Sequence, residues 1–158
     1  MLACMDLSKL YFAVRKLNVT VNYEELIKLL YEKGETLGED VHIKGFTVSD
    51  ERNPGQKKFL SRLSELGLDL HVYPYDTTPD FSAEIATIAA LSEEDNVVVV
   101  SNSSCLIRVF DLLKENGKSP TLCFFSEELE GNWTPTLLRG GMDFVDLSDP
   151  PTKRRVTH

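Results

Sequence analysis

No stretch of this chain approaches the roughly 18 consecutive apolar residues that cross a bilayer, so no membrane partner is expected. The opening Met1-Leu2-Ala3-Cys4-Met5-Asp6 has no basic segment and too short an apolar stretch for a secretory leader, which places the protein in the cytoplasm. Cysteine is scarce: Cys4, Cys105 and Cys123 are odd in number, far apart and in apolar surroundings. They form no metal-ligand pair and read as buried reduced thiols, in keeping with a reducing compartment. Histidine is rarer in useful places: His42 and His71 fall in expected strands and His158 at the end, none beside a nucleophile and an acid. Positive charge is also short, and the formal net charge of -8 argues against a general nucleic-acid coat. A local site is not excluded, because bound divalent ions reverse the local charge. Internal repeats and linkers are absent, so the chain reads as one domain.

What is present is an alternation. Leu2 to Met5 is a short apolar run, and Leu7 to Leu17 places Leu10, Val14 and Leu17 on one helical face. Asn22 caps a second helix, with Glu25 three residues on; Tyr23, Leu26, Ile27 and Leu30 follow helical spacing and Gly34 is the stop. Val41 to Val48 reads as a strand, Asn53-Pro54-Gly55 as a turn and Gln56 to Leu66 as a helix with Phe59, Leu63 and Leu66 facing inward. Leu68 to Tyr73, Asn96 to Ser101, Thr121 to Phe125 and Asp143 to Leu147 are further strands. Helices fall on Asp80 to Leu91, with Phe81, Ile85 and Ile88 aligned, and around Leu106, Val109, Phe110 and Leu113. The four consecutive valines from Val97 predict a strand covered on both faces. Residues 148–158, with two prolines and Lys153-Arg154-Arg155, are expected to be a disordered basic tail. Strands alternating with helices give an α/β fold: a mainly parallel sheet in a three-layer sandwich, with ligands at the carboxyl ends of the strands. Those ends carry Asp6, Ser49-Asp50, Tyr75-Asp76, Ser101 to Ser104 and Ser126-Glu127.

The order of segments resembles the NYN family, PIN-like domains with a Rossmann-like sheet. Met5-Asp6-Leu7-Ser8-Lys9-Leu10 is similar to the family's strand followed by D-G-x-N-L. Gly55 to Leu60 with Leu66-Gly67, Asn96 to Ser104, Leu113 to Lys118 and Met142 to Leu147 follow in family order, so the resemblance spans residues 2–147. It implies a metal-dependent ribonuclease ancestry, in which three or four carboxylates hold Mg²⁺ or Mn²⁺ through oxygen ligands and the metal activates water for in-line attack on phosphate.

The family's acids are only partly matched. Asp6 corresponds to the first, and is the candidate metal ligand. The family's asparagine three residues on is Lys9 here, whose cation competes with a metal or points to solvent. Asp80 or Glu84, read as one helical face, supplies the second acid, although Asp80 also suits a helix N-cap and Glu84 a solvated surface. Where the family has two aspartates this chain has Ser103 and Cys105, poor Mg²⁺ ligands. Asp143 matches an acid near the last strand. The catalytic set, if active, is therefore Asp6, Asp80, Glu84 and Asp143.

Other residues suggest binding. Ser101, Asn102, Ser103 and Ser104 form a strand-to-helix turn able to hold an RNA phosphate or simply to cap the helix. Lys9, Arg52 and Lys58, with Lys57 and Arg62, offer basic contacts or a solvated face. Trp133 stacks on a base or anchors its loop. The expectation is a degenerate domain that binds RNA or a protein partner, with nuclease activity lost or weakened. The alternative is an active endoribonuclease on a rearranged acidic site. A phosphoacceptor domain of response-regulator shape is a third reading, which expects an acidic pair after the first strand. Edge strands leave a homodimer open.

Overall fold

A computed structural model of the chain describes residues 1–16, 19–50, 52–74, 80–125, 143–147 and 153–155. The elements run β1 (Leu2–Asp6), α1 (Leu7–Lys16), β2 (Val19–Val21), α2 (Tyr23–Leu37), β3 (His42–Val48), α3 (Pro54–Glu65), β4 (Leu68–Tyr73), α4 (Ser82–Leu91), β5 (Asn96–Val100), α5 (Leu106–Glu115), β6 (Ser119–Phe124), β7 (Asp143–Asp146) and β8 (Lys153–Arg155). Six strands form one sheet in the order β4-β3-β1-β5-β6-β7, and every pair is parallel. This is an α/β, Rossmann-like architecture: from β1 the chain adds β3 and β4 on one side and then β5, β6 and β7 on the other, so the strand order reverses between β1 and β5. In such sheets the crevice at the reversal, beyond the carboxyl ends of the strands, is the usual ligand position.

The alternation of side chains along each strand builds two cores. Met1, Ala3 and Met5 join Val98 and Val100 under Leu10 and Val14 of α1, Leu26 and Leu30 of α2, and Leu63 of α3. Leu2, Cys4, Val97 and Val99 point the other way, against Phe81, Ile85 and Ala89 from the α4 segment and Val109, Phe110 and Leu113 of α5. The valine run of β5 is therefore buried on both faces, as its unbroken apolarity predicts. Because β1 lies between these layers, Asp6 at its end is fixed from both sides.

Several local expectations change. Gly34 does not stop α2; the helix continues to Leu37 and ends at Gly38, whose φ of 69° is the left-handed cap. Gly34 instead lets the helix approach Val41: an added Cβ would overlap Val41 Cγ2 and sit 3.2 Å from the Glu39 carbonyl oxygen. Gly34→Ala is expected to cost about 2 kcal/mol through this crowding, despite alanine's better helix propensity, which urea unfolding would measure. An unchanged or higher midpoint would mean Val41 yields freely. Asn53-Pro54-Gly55 is not a free turn but the start of α3: Asn53 caps it, accepting the Gly55 N–H at 3.1 Å, and Pro54 takes the first turn, where its missing N–H costs nothing. Phe59 does not face inward; it is exposed and packs edge-to-face on Tyr23 at 5.3 Å.

Two short strands lie outside the alternating pattern. Val19–Val21 pairs antiparallel with Lys153–Arg155, within the segment expected to be a disordered tail. Three residues are too few to show periodicity. Trp133, Tyr75, Asp76, Ser126, Glu127 and Met142 lie outside the described residues. Among the described residues no helix is long and apolar enough to cross a membrane.

Candidate functional site

Three helices begin at the crevice: α1 directly after Asp6, α4 after Asp80, and α5 after the Ser101–Cys105 turn. Each helix start carries unpaired N–H groups and about half a positive charge from its aligned peptides. The crevice answers them with two carboxylates. Asp6 is fully buried; its Oδ1 accepts the Lys9 N–H at 2.9 Å and its Oδ2 the Phe81 N–H at 3.2 Å. One side chain thereby ties β1 to the starts of α1 and α4.

Asp80 makes the second junction. It lies just before α4 rather than on its face, with Phe81 at the cap position. Its Oδ1 accepts the Ser82 N–H at 3.1 Å and the Ser82 hydroxyl at 2.7 Å; its Oδ2 accepts the Ser103 hydroxyl at 3.0 Å. The Lys9 ammonium stands 3.8 Å from the same Oδ2. Ser103 Oγ also lies 2.9 Å from Ser82 Oγ and accepts the Cys105 N–H at 3.1 Å. Asp80 thus receives hydrogen bonds from α4 and the turn before α5 and an ion pair from α1.

The two acids are driven apart in acidity. Burial pushes the Asp6 carboxyl up to about 6; the Lys9 and Phe81 N–H groups pull it down, Asp80's charge adds to the rise and Lys9's charge opposes it. Burial acts the same way on Asp80, but the Ser82 hydroxyl and N–H, the Ser103 hydroxyl and Lys9 outweigh it and hold that carboxyl below its ordinary value.

Ser101, Asn102 and Ser103 of the serine turn are buried. Ser101 Oγ accepts the Ser103 N–H at 3.1 Å. Asn102 donates its amide to the Phe125 carbonyl at 3.1 Å and accepts the Phe125 N–H at 2.8 Å. Ser104 is exposed, and the cap residue of α5 is Cys105, with no side-chain capping bond. Ser103 acts one step earlier, holding the turn through the Cys105 N–H.

The rearranged acidic set does not assemble as its sequence spacing suggests. Asp80 lies outside α4, so it shares no helical face with Glu84. Glu84 is half-buried rather than solvated, and its Oε2 has no hydrogen-bond partner among the described residues. Asp143 aligns with Thr121 near the amino end of β6, while the carboxyl end of β7 is Asp146, aligned with Phe124. Asp143 therefore lies three residues short of the carboxyl end of that strand pair, and β7 stands three strands from β1, about 14 Å at normal spacing. Among the described residues no three His, Cys, Asp or Glu side chains gather as a metal group. Arg52, just before α3, and Lys58, on it, are exposed; Arg52 lies 3.6 Å from Asp50, and Arg62 pairs with Glu24.

Sequence reasoning missed Ser82, whose signal was the Asp80-x-Ser82 turn pattern. It also missed Thr47, buried on β3 with its hydroxyl 3.5 Å from that of Ser8; a threonine in a strand carries no distinguishing signal. Compared with known proteins, the chain matches no protein-family model, no curated protein and no solved structure.

Proposed function

We propose that this chain is a degenerate NYN-type, PIN-like domain that acts as an RNA- or protein-binding module and has lost or weakened nuclease activity. One observation carries this reading: the Lys9 ammonium, 3.8 Å from Asp80, supplies inside the fold the positive charge that a metal would bring. Two carboxylates facing one lysine and three helix starts are close to electrically balanced, so little net charge is left to attract a divalent ion. Ser103 and Cys105, standing where the resemblance calls for aspartates, weaken the case for Mg²⁺ or Mn²⁺ further. The reading places the module in the cytoplasm, where its free thiols stay reduced, and β4 and β7, the edge strands of the sheet among the described residues, are where a second copy would pair.

The test is cleavage of labelled single-stranded RNA with Mn²⁺ or Mg²⁺, with Asp6→Asn alongside and binding followed on the same RNA. The expected outcome is no cleavage that requires both metal and Asp6. Cleavage that does require both would install the endoribonuclease reading, whose support is the closeness of Asp6 and Asp80.

A further inference from the structure

We infer that two copies of this chain join at the outer edge of β4, antiparallel and in a register centred on Leu70, so that the sheet continues from one copy into the other. The inference rests on the edge pairing named in the preceding reading, chooses β4 over β7 and fixes the register. Its test reads mass and involves neither RNA nor metal, so it can fail while the binding-module reading stands, and the reverse.

Backbone direction limits the pairing. The Ser49 N–H donates to the Tyr73 carbonyl at 2.7 Å, so Tyr73 turns its backbone groups toward β3. Direction alternates along a strand, so Asp69 and His71 also turn inward, while Leu68, Leu70 and Val72 present their N–H and C=O groups outward. No strand lies beside them among the described residues. An antiparallel neighbour bonds only when outward residues stand opposite outward residues. For two copies about a two-fold axis, the centres that meet this condition and pair five of the six residues of β4 are Leu70 and His71.

Charge chooses between them. A centre on His71 sets that ring against its own copy and Asp69 against Tyr73. A centre on Leu70 sets Asp69 opposite the second copy's His71, and the reverse, with Leu68 opposite Val72 on the other face. Asp69 is exposed, and its carboxyl is held below its ordinary value, chiefly by the hydrogen bond from Lys44 at 3.2 Å, so it is ionised at neutral pH. His71 stacks on Phe46 at 4.9 Å, and its Nε2 makes no hydrogen bond among the described residues. Directly opposed residues of this kind have Cα atoms about 4.5 Å apart, closer than Asp69 and His71 stand along their own strand, about 6.6 Å. Each ring thereby gains a carboxylate acceptor, and exposed Val72 is covered. The usual guards of an edge are missing from β4, which has no proline or lysine and pairs with β3 without a bulge. The other edge, β7, is four residues long with an aspartate at each end.

Sedimentation equilibrium from about 1 μM to about 1 mM is the test. The mass is expected to rise from 17.8 kDa toward twice that value. Val72→Pro removes an outward N–H and leaves the bonds to β3 intact, so it should weaken association at least about tenfold. Asp69→His sets like groups opposite each other and should weaken it about threefold or more. Adding His71→Asp exchanges the pair at unchanged composition, and association should return to within about threefold of the wild type, as only the Leu70-centred register requires. A wild type that stays at 17.8 kDa at every concentration overturns the proposal, as does association equally strong in Val72→Pro. Should Val72→Pro fail to fold, Asp69→His, at an exposed side chain, and the exchanged pair carry the measurement, and an exchange that restores nothing overturns the register.

Discussion

Asn102→Ala is expected to lower stability by about 3 kcal/mol, with a fall in Tm on the order of 10 °C. The Asn102 amide bridges both polar groups of the Phe125 backbone, accepting its N–H at 2.8 Å and donating to its carbonyl at 3.1 Å. Phe125 is fully buried and Asn102 nearly so. Alanine would therefore strand a donor and an acceptor where water does not readily replace the lost partners. Asn102→Asp is a sharper probe. It keeps an acceptor for the N–H but sets a carboxylate against the Phe125 carbonyl oxygen, so its loss should grow as pH rises. Urea unfolding at two pH values measures both variants. A change below about 0.5 kcal/mol for alanine would show that the bridge is replaced by solvent.

The second large effect is the titration of Asp6. Its carboxyl carbon should show a midpoint of about 6 by NMR, against roughly 3.9 for an exposed aspartate. The folded state then binds this proton more tightly than the unfolded state does. Asp6 contributes roughly 3 kcal/mol of stability that is fully present below pH ~4 and is lost as pH rises through about 6. Asp80, held below its ordinary value, acts in the opposite sense: its contribution is present above the unfolded pKa and is lost as pH falls through the folded one. Asp6→Asn should remove the downward slope of stability between about pH 4 and pH 6.5. Asp80→Asn should lower the Asp6 midpoint by removing a like charge, and Lys9→Met should raise it. An Asp6 midpoint near 4 in the wild type would mean that water reaches the carboxylate.

The sheet and its helices were legible because their signals are long. The valines of β5 and the spaced leucines of α1 and α2 repeat often enough to fix type and approximate position. Boundaries were less clear at glycine, since Gly34 and Gly38 look alike in sequence. One allows close packing and the other a left-handed cap, and only the position of Val41 separates them. Within the site, Asp6 and Lys9 were legible from their place after the first strand. Asp80's partners were not, because Ser103 lies 23 residues away in the chain and meets Asp80 only through the sheet order. Asp143 differs for the converse reason: it does fall on the last strand, but parallel register pairs it with Thr121, three residues short of the carboxyl end of β6.

The central position of β1 also bears on how the chain acquires its structure during synthesis. Its neighbours are β3, about 40 residues later, and β5, about 95 residues later. At a translation rate of about 5–20 residues per second, β1 waits roughly 5–20 s beside the ribosome before both partners exist. Both edges of Leu2 to Met5 are open until β3 exists, and the edge that β5 covers stays open for the whole interval, the condition that attracts chaperones and mispairing. Exchanging the chain order of the segments so that β5 precedes β1 would shorten the wait without altering the finished sheet. Its expected signature is a larger soluble yield on expression at unchanged equilibrium stability.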